Sequence, residues 1–122
     1  MTTTRLLIVD DIPQVREDLR TLLALAGDIE IAGVAINGLD GVRQAGAIQP
    51  EVVLMDLEMP VMDGYEATRQ IKSQNPACRV IALTIHDYRE AREKAAQAGV
   101  DAFIVKGAPV ETLVQAISGK KE

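Results

Sequence analysis

Five short runs of apolar residues recur along the chain, and each is followed by a segment of helical length. Several of these runs are apolar at consecutive positions, which is typical of strands covered by helices on both faces. The regular alternation of strand and helix predicts a parallel sheet. The predicted strands span residues 5–10, 29–34, 52–56, 79–84 and 102–106.

The segments between these runs repeat apolar residues with the spacing of amphipathic helices. Gly38, Gly41 and Gly46 interrupt the segment after the second strand, and each costs a helix interior up to about 1 kcal/mol relative to alanine. We therefore expect the second helix to be short and loosely held. The clearest apolar stripes lie in the first and last segments: Val15, Leu19, Leu22, Leu23 and Ala26, and then Val110, Leu113, Val114 and Ile117.

The order of these elements predicts an α/β fold, with a five-stranded parallel sheet that is doubly wound as (βα)5 in the flavodoxin-like manner. A chain of 122 residues is about one domain, and no repeat or linker-like tract divides it. In such a sheet the carboxyl ends of the strands meet at one crevice. Polar residues at the strand ends are therefore the first candidates for chemistry.

Composition and charge remove several classes of function. Thirteen Lys and Arg against eighteen Asp and Glu leave a net charge of −5, which argues against direct contact with nucleic acid. No apolar run approaches the roughly 20 residues of a membrane span, and no signal peptide is recognisable, so we expect a cytoplasmic protein without a membrane contact. One cysteine and one histidine cannot build a zinc site, so any metal is held by oxygen.

Four of the five predicted strands end in a polar group. The first ends at Asp10 and Asp11, the third at Asp56, the fourth at Thr84 and the fifth at Lys106. Three carboxylates in one crevice repel one another unless a cation neutralises them, and their oxygens suit Mg²⁺. A lysine and a hydroxyl suit a phosphoryl group. The pattern predicts phosphoryl transfer, for which an aspartate can serve as nucleophile.

Four segments resemble the receiver domains of two-component response regulators, and the resemblance covers essentially the whole chain. The resemblance implies a signalling switch rather than an enzyme, with catalysis limited to its own phosphoryl transfer and slow dephosphorylation. It also implies a phosphoryl donor, either a sensor histidine kinase or a phosphotransfer protein. The segments are Leu6-Leu7-Ile8-Val9-Asp10-Asp11, Asp56-Leu57-Glu58-Met59-Pro60-Val61-Met62-Asp63-Gly64, Ala82-Leu83-Thr84 and Phe103-Ile104-Val105-Lys106.

The resemblance assigns the acidic residues to phosphorylation and to metal binding. Asp56 looks like the residue that is phosphorylated on its carboxylate. Asp10 and Asp11 look like the acidic pair that holds Mg²⁺, with Asp56 and the backbone carbonyl of Glu58 as further ligands. Asp10 is expected to act through water. No other cofactor is implied.

The same resemblance assigns the switch. Thr84 and Lys106 look like the pair that senses the phosphoryl group, and Phe103 looks like the aromatic residue that turns inward on activation. Phosphorylation is then expected to alter the face formed by the fourth helix, the fifth strand and the fifth helix. A homodimer is compatible with such a switch, and the downstream effector is not identified by the sequence.

Two stretches, 83–87 and 106–109, look most like receivers of the nitrate-regulator type, which carry a C-terminal helix-turn-helix. We expect residues 1–122 to form a single receiver domain without an effector domain. Many receivers continue the lysine with proline, whereas here Lys106 is followed by Gly107. Because a cis bond without proline costs about 3 kcal/mol, we expect this peptide bond to be trans.

Two other classes of protein remain as alternatives at this point. A phosphatase or phosphotransferase with an aspartate nucleophile would place a second aspartate where this chain has Glu58. A flavin- or nucleotide-binding module of flavodoxin-like topology would show a glycine-rich phosphate loop, and the chain has none. His86 and Glu58 each lie two residues after a strand-end residue. The resemblance to receiver domains implies that both positions modulate dephosphorylation.

Overall fold

The computed structural model of the protein describes residues 3–119, in which five strands alternate with five helices. No helix in this part of the chain has the length and apolar character needed to cross a bilayer. All five predicted strands are confirmed to within one residue at each end. The strands are β1 (Thr4–Val9), β2 (Ile29–Ala35), β3 (Val52–Asp56), β4 (Arg79–Thr84) and β5 (Ala102–Val105), and the helices are α1 (Pro13–Ala24), α2 (Gly38–Ile48), α3 (Gly64–Gln74), α4 (Arg89–Ala98) and α5 (Val110–Ser118).

The strands form one sheet in the order β2-β1-β3-β4-β5, and every neighbouring pair is parallel. This is the flavodoxin-like order, so the predicted fold class is confirmed. The chain moves outward from β1 to β2 and then crosses back to β3. The direction of winding therefore reverses between β1 and β3, where a crevice opens at the carboxyl ends of the strands.

Successive residues of β1 face opposite sides of the sheet and divide the core into two layers. Leu6 and Ile8 pack with residues of α1 and α5 on one face, whereas Leu7 and Val9 pack with residues of α2 and α3 on the other. A smaller cluster lies under α4 and includes Ala82 of β4. Because both faces are covered, the strand ends are the part of the sheet that is open to ligands.

The prediction of a short second helix is wrong, because α2 has 11 residues, as many as α3. Two side chains cap its first turn. The Asn37 side chain accepts a hydrogen bond from the Asp40 backbone N–H at 2.8 Å, and the Asp40 carboxylate accepts one from the Ile36 backbone N–H at 3.0 Å. Val42 is buried against the sheet. Capping and tertiary packing outweigh the low helix propensity of the three glycines.

Candidate functional site

The topology brings the five predicted strand-end residues to one end of the sheet. Asp10 and Asp11 directly follow β1, Asp56 and Thr84 end β3 and β4, and Lys106 directly follows β5. Since β1, β3, β4 and β5 are consecutive in the sheet, their carboxyl ends form one continuous edge. The predicted constellation is therefore assembled by neighbouring strands.

The three aspartates form a cluster of oxygen ligands. One carboxylate oxygen from each of Asp10, Asp11 and Asp56 lies within 4.8 Å of the others. Asp10 and Asp56 are buried, and Asp11 is half-buried. A few carboxylates, one of them partly exposed, match the ligand set of Mg²⁺, which retains several waters. The residues present thus fit the metal that the sequence predicts.

Lys106 reaches the cluster from β5. Its ammonium Nζ lies 3.2 Å from Oδ2 of Asp10 and 3.7 Å from Oδ1 of Asp56. The peptide bond between Lys106 and Gly107 is trans as expected, since residues 3–119 contain no cis bond. The Lys106 ammonium thus pairs with two of the three clustered carboxylates.

Burial and the neighbouring carboxylates change the ionisation of Asp56, whose pKa is raised to about 7. Burial is the largest cause, because it penalises the charged carboxylate, and the neighbouring Asp10 adds to it. Lys106 and the Glu58 backbone N–H, which lies 3.4 Å from Oδ1 of Asp56, act in the opposite direction. A dication bound beside Asp56 would favour the charged form of its carboxyl.

Thr84 and Phe103 lie on neighbouring strands. The Thr84 hydroxyl is buried and accepts a hydrogen bond from the His86 backbone N–H at 3.1 Å. Phe103 is half-buried against the cluster under α4, and the Arg92 guanidinium lies 4.6 Å from its ring centroid. Arg92 also pairs with Asp87 in the loop after Thr84, at 2.6 Å.

His86 and Glu58 meet at the rim of the crevice. The His86 Nε2 lies 2.9 Å from a Glu58 carboxylate oxygen, and the His86 ring stacks on Tyr88 with 5.2 Å between centroids. The Glu58 side chain is therefore engaged with the loop after β4. Its backbone N–H faces Asp56.

The loop between β3 and α3, residues 57–63, is tightly built. The Gly64 N–H donates to the Leu57 carbonyl at 3.0 Å, and a Cβ at position 64 would lie 2.1 Å from the Asp56 carbonyl oxygen. Only glycine fits this turn. The close return of the chain fixes the backbone immediately after Asp56.

Sequence reasoning missed two arginines near the site. The Arg16 guanidinium donates to the backbone carbonyl of Asp10 at 2.7 Å, from the first turns of α1. Arg92 covers Phe103 from α4. Both residues belong to charged helix faces, and the sequence carries no signal that separates them from their exposed neighbours.

Comparison with known proteins shows the family to which this arrangement of residues belongs. The family model for the response regulator receiver domain matches residues 6–118. The response regulator VraR from Staphylococcus aureus is 36% identical over 115 residues, which cover 94% of this chain and 55% of VraR. The chain spans about half the length of the curated relatives that it matches.

Two solved structures are similar over nearly the whole chain. A DNA-binding response regulator of the LuxR family from Staphylococcus aureus has a TM-score of 0.89 and 34% identity, covering 95% of this chain and 97% of that chain. The signal receiver domain of NarL from Mycobacterium tuberculosis has a TM-score of 0.93 and 28% identity, covering 98% and 96%. The predicted likeness to the nitrate-regulator type is thus confirmed.

Proposed function

The chain belongs to the response regulator receiver domain family, and on that premise we propose that it is a switch whose phosphoryl acceptor is Asp56. Proteins of this family are signalling proteins rather than ordinary enzymes, and they work in phosphorylation-dependent two-component signalling. The observation that carries the proposal is the position of Asp56. It is buried at the end of β3 between Asp10 and Lys106, in the crevice where the strand order reverses.

The proposed step is an in-line transfer from a phosphohistidine of the donor protein. An oxygen of the Asp56 carboxylate attacks phosphorus, the P–N bond breaks, and its electron pair stays on the imidazole of the donor, which takes a proton from water. The product on this chain is an acyl phosphate. The donor is a sensor histidine kinase or a phosphotransfer protein.

Asp10, Asp11, Asp56 and the backbone carbonyl of Glu58 would hold Mg²⁺, with Asp10 acting through water. The bound ion supplies neutralisation of the charge that gathers on the transferred phosphoryl oxygens. The cluster supports this assignment because its three carboxylates converge within 4.8 Å, and the Lys106 ammonium pairs with two of them. The Lys106 ammonium forms ion pairs with the carboxylates of Asp10 and Asp56, and we infer that it also contacts the phosphoryl group.

The proposed output begins at Thr84. When a phosphoryl group stands on Asp56, the Thr84 hydroxyl turns to donate to it and gives up its bond from the His86 N–H. The space that it leaves is filled by Phe103 from β5. The surface of α4, β5 and α5 changes as a result, and a downstream partner, an attached effector or a second copy of the chain responds to that surface.

We propose that residues 1–122 form one receiver domain, and the match of the family model to residues 6–118 supports this. Family membership favours this function over an aspartate-dependent phosphatase and over a flavin-binding module. The proposal extends to the cytoplasm as the site of action, because the kinase domains that phosphorylate such receivers work there. Nucleic acid is not expected to contact this domain directly, given its net charge of −5.

The direct test is to incubate the chain with acetyl phosphate and Mg²⁺ and to measure its intact mass. We expect one added phosphoryl group in the wild type and none in Asp56→Asn, which keeps the shape of the side chain but loses the nucleophilic carboxylate. Chelation of Mg²⁺ with EDTA should also prevent the addition.

Three results would contradict parts of the proposal. A full adduct in Asp56→Asn would place the acceptor elsewhere. Continuous release of inorganic phosphate from small phosphate esters, without a lasting adduct, would identify a phosphatase. An Asp11→Ala variant that accepts phosphate at the wild-type rate would remove Asp11 from the metal site.

A further inference from the structure

The loop between β3 and α3 contains a strained turn. Val61 has a φ of +72°, and the Met62 N–H donates to the Pro60 carbonyl at 2.8 Å, which closes a three-residue turn around Val61. A β-branched residue at positive φ is a true outlier. Strain of this kind persists only where the surroundings hold it in place.

The first residue of α2 supplies such a hold. The Gly38 N–H donates to the Met62 carbonyl at 3.1 Å, so helix α2 begins against the backbone of the loop. A Cβ at position 38 would lie 2.2 Å from the Met62 carbonyl oxygen and 2.9 Å from its carbon. No side chain larger than a hydrogen fits there unless the loop or the helix moves.

The same loop carries Glu58, whose backbone N–H faces Asp56. The Glu58 N–H lies 3.4 Å from Oδ1 of Asp56, and the loop is closed at its base by the bond from Gly64 to Leu57. Between Glu58 and Met62 the chain has little slack, because Pro60 fixes one φ angle and the turn around Val61 is hydrogen-bonded. A displacement at Met62 is therefore passed to the backbone at Glu58.

We propose that Gly38 is a positioning residue for the Mg²⁺ site, acting through the Met62 carbonyl to hold the backbone of Glu58 in place. The inference rests on the proposed function, in which the Glu58 carbonyl is a metal ligand. Gly38 belongs to a different strand-helix unit from any of the ligands and contacts none of them through a side chain. Groups that orient metal ligands typically change metal affinity about 10- to 100-fold when they are altered.

The test compares Gly38→Ala with Gly46→Ala, which is the same substitution in the same helix. Position 46 is exposed, and a Cβ there would meet only the Gln74 side chain, at an ordinary 3.9 Å. The Mg²⁺ dissociation constant is measured from amide shifts in an NMR titration, well below the melting temperature. We expect it to rise roughly tenfold in Gly38→Ala and to stay within about twofold of wild type in Gly46→Ala.

Melting temperatures in EDTA and in saturating Mg²⁺ separate positioning from stability. A merely structural role lowers the melting temperature of Gly38→Ala equally in both conditions, whereas the proposal predicts a smaller rise on adding Mg²⁺ than in wild type. A folded Gly38→Ala with the wild-type dissociation constant would overturn the inference and leave the proposed function intact. Failure of the wild type to bind Mg²⁺ would overturn both.

A measurement on the wild type keeps the inference testable if Gly38→Ala does not fold. Because coupling is reciprocal, Mg²⁺ should slow hydrogen exchange at the Gly38 amide. The Gln49 amide, which bonds to Ala45 at the other end of α2, reports the general stabilisation of the helix. We expect the slowing to be larger at Gly38, and equal slowing at both amides would refute the coupling.

Discussion

The buried position of Asp56 is typical of a functional site, and the same position lowers the stability of the native state when the carboxylate is charged. The residue is only 5% exposed and has Asp10 as a neighbour, so the charged form of its carboxyl is disfavoured and its pKa is raised to about 7. A carboxylate of raised pKa in a crevice is typical of functional sites. The Lys106 ammonium offsets only part of this cost, because the pKa stays raised with the lysine in place.

The raised pKa predicts how stability depends on pH in the protein without metal. Between about pH 4 and pH 7 the native state holds a proton on Asp56 that the unfolded state has released, so stability falls as the pH rises through this range. Asp56→Asn removes the effect. In EDTA the variant should exceed the wild type in free energy of unfolding by on the order of a few kcal/mol at pH 8 and by much less at pH 5.

Urea unfolding followed by circular dichroism measures this difference at the two pH values. Glu17→Gln is the matched control, because Glu17 is an exposed carboxylate of α1 and its substitution should have little effect at either pH. Adding Mg²⁺ at pH 8 should reduce the difference in free energy of unfolding between Asp56→Asn and the wild type. If this difference in free energy of unfolding is the same at pH 5 and pH 8, the pKa of Asp56 is not raised.

At the scale of elements, α4 is attached to the sheet differently from the other helices. Its buried residues are the alanines Ala91, Ala95 and Ala98, which offer little apolar area. Polar contacts supplement them: Arg92 covers the Phe103 ring and pairs with Asp87. The helix that the proposed switch must shift is thus held by small residues and by exposed charges.

We expect Arg92→Gln to favour the phosphorylated state. The substitution removes both the contact with Phe103 and the ion pair to Asp87, which hold the loop after β4 and the ring of β5 in their present positions. The rate of phosphorylation by acetyl phosphate should rise severalfold. This rate is measured from the intact mass of the protein as a function of time. Arg89→Gln is the control, because Arg89 is exposed and pairs only with Glu93 of the same helix among the contacts of the described chain. Equal rates in the two variants would rule out this role for Arg92.

At the scale of the whole molecule, the proposed switch links two surfaces through the edge of the sheet. Asp56, Thr84 and Lys106 belong to β3, β4 and the end of β5, which are consecutive in the sheet. In the proposed switch, new hydrogen bonds from Thr84 and Lys106 to the phosphoryl group would form in only one of the two states, as a population shift requires. Each charge-assisted bond is worth about 1.5 to 3 kcal/mol, enough to shift the balance about tenfold or more.

Thr84→Ala should therefore accept phosphate but fail to switch. Amide shifts are compared with and without beryllofluoride, which mimics the phosphoryl group, in the wild type and in the variant. In the wild type, shifts should extend from Asp56 to Phe103, α4 and α5. In Thr84→Ala they should stay near Asp56, and full wild-type shifts around Phe103 would exclude coupling through Thr84.

The sequence alone determined the strands, the fold class and the positions of Asp10, Asp11, Asp56, Thr84 and Lys106 at the strand ends. These features are local: an apolar run marks a strand, and the end of a parallel strand has a known place in the fold. The motifs around them were also sufficient to indicate the receiver family.

The tertiary structure decided the features that depend on contacts between distant segments. The length of α2 follows from its cap and its packing, the raised pKa of Asp56 follows from burial beside Asp10, and the cover on Phe103 comes from Arg92 on another helix. The bond from Gly38 to Met62 joins residues 24 positions apart in the sequence. Helix propensity and residue type carry no information about which backbone will approach another, because packing of the whole chain sets that distance.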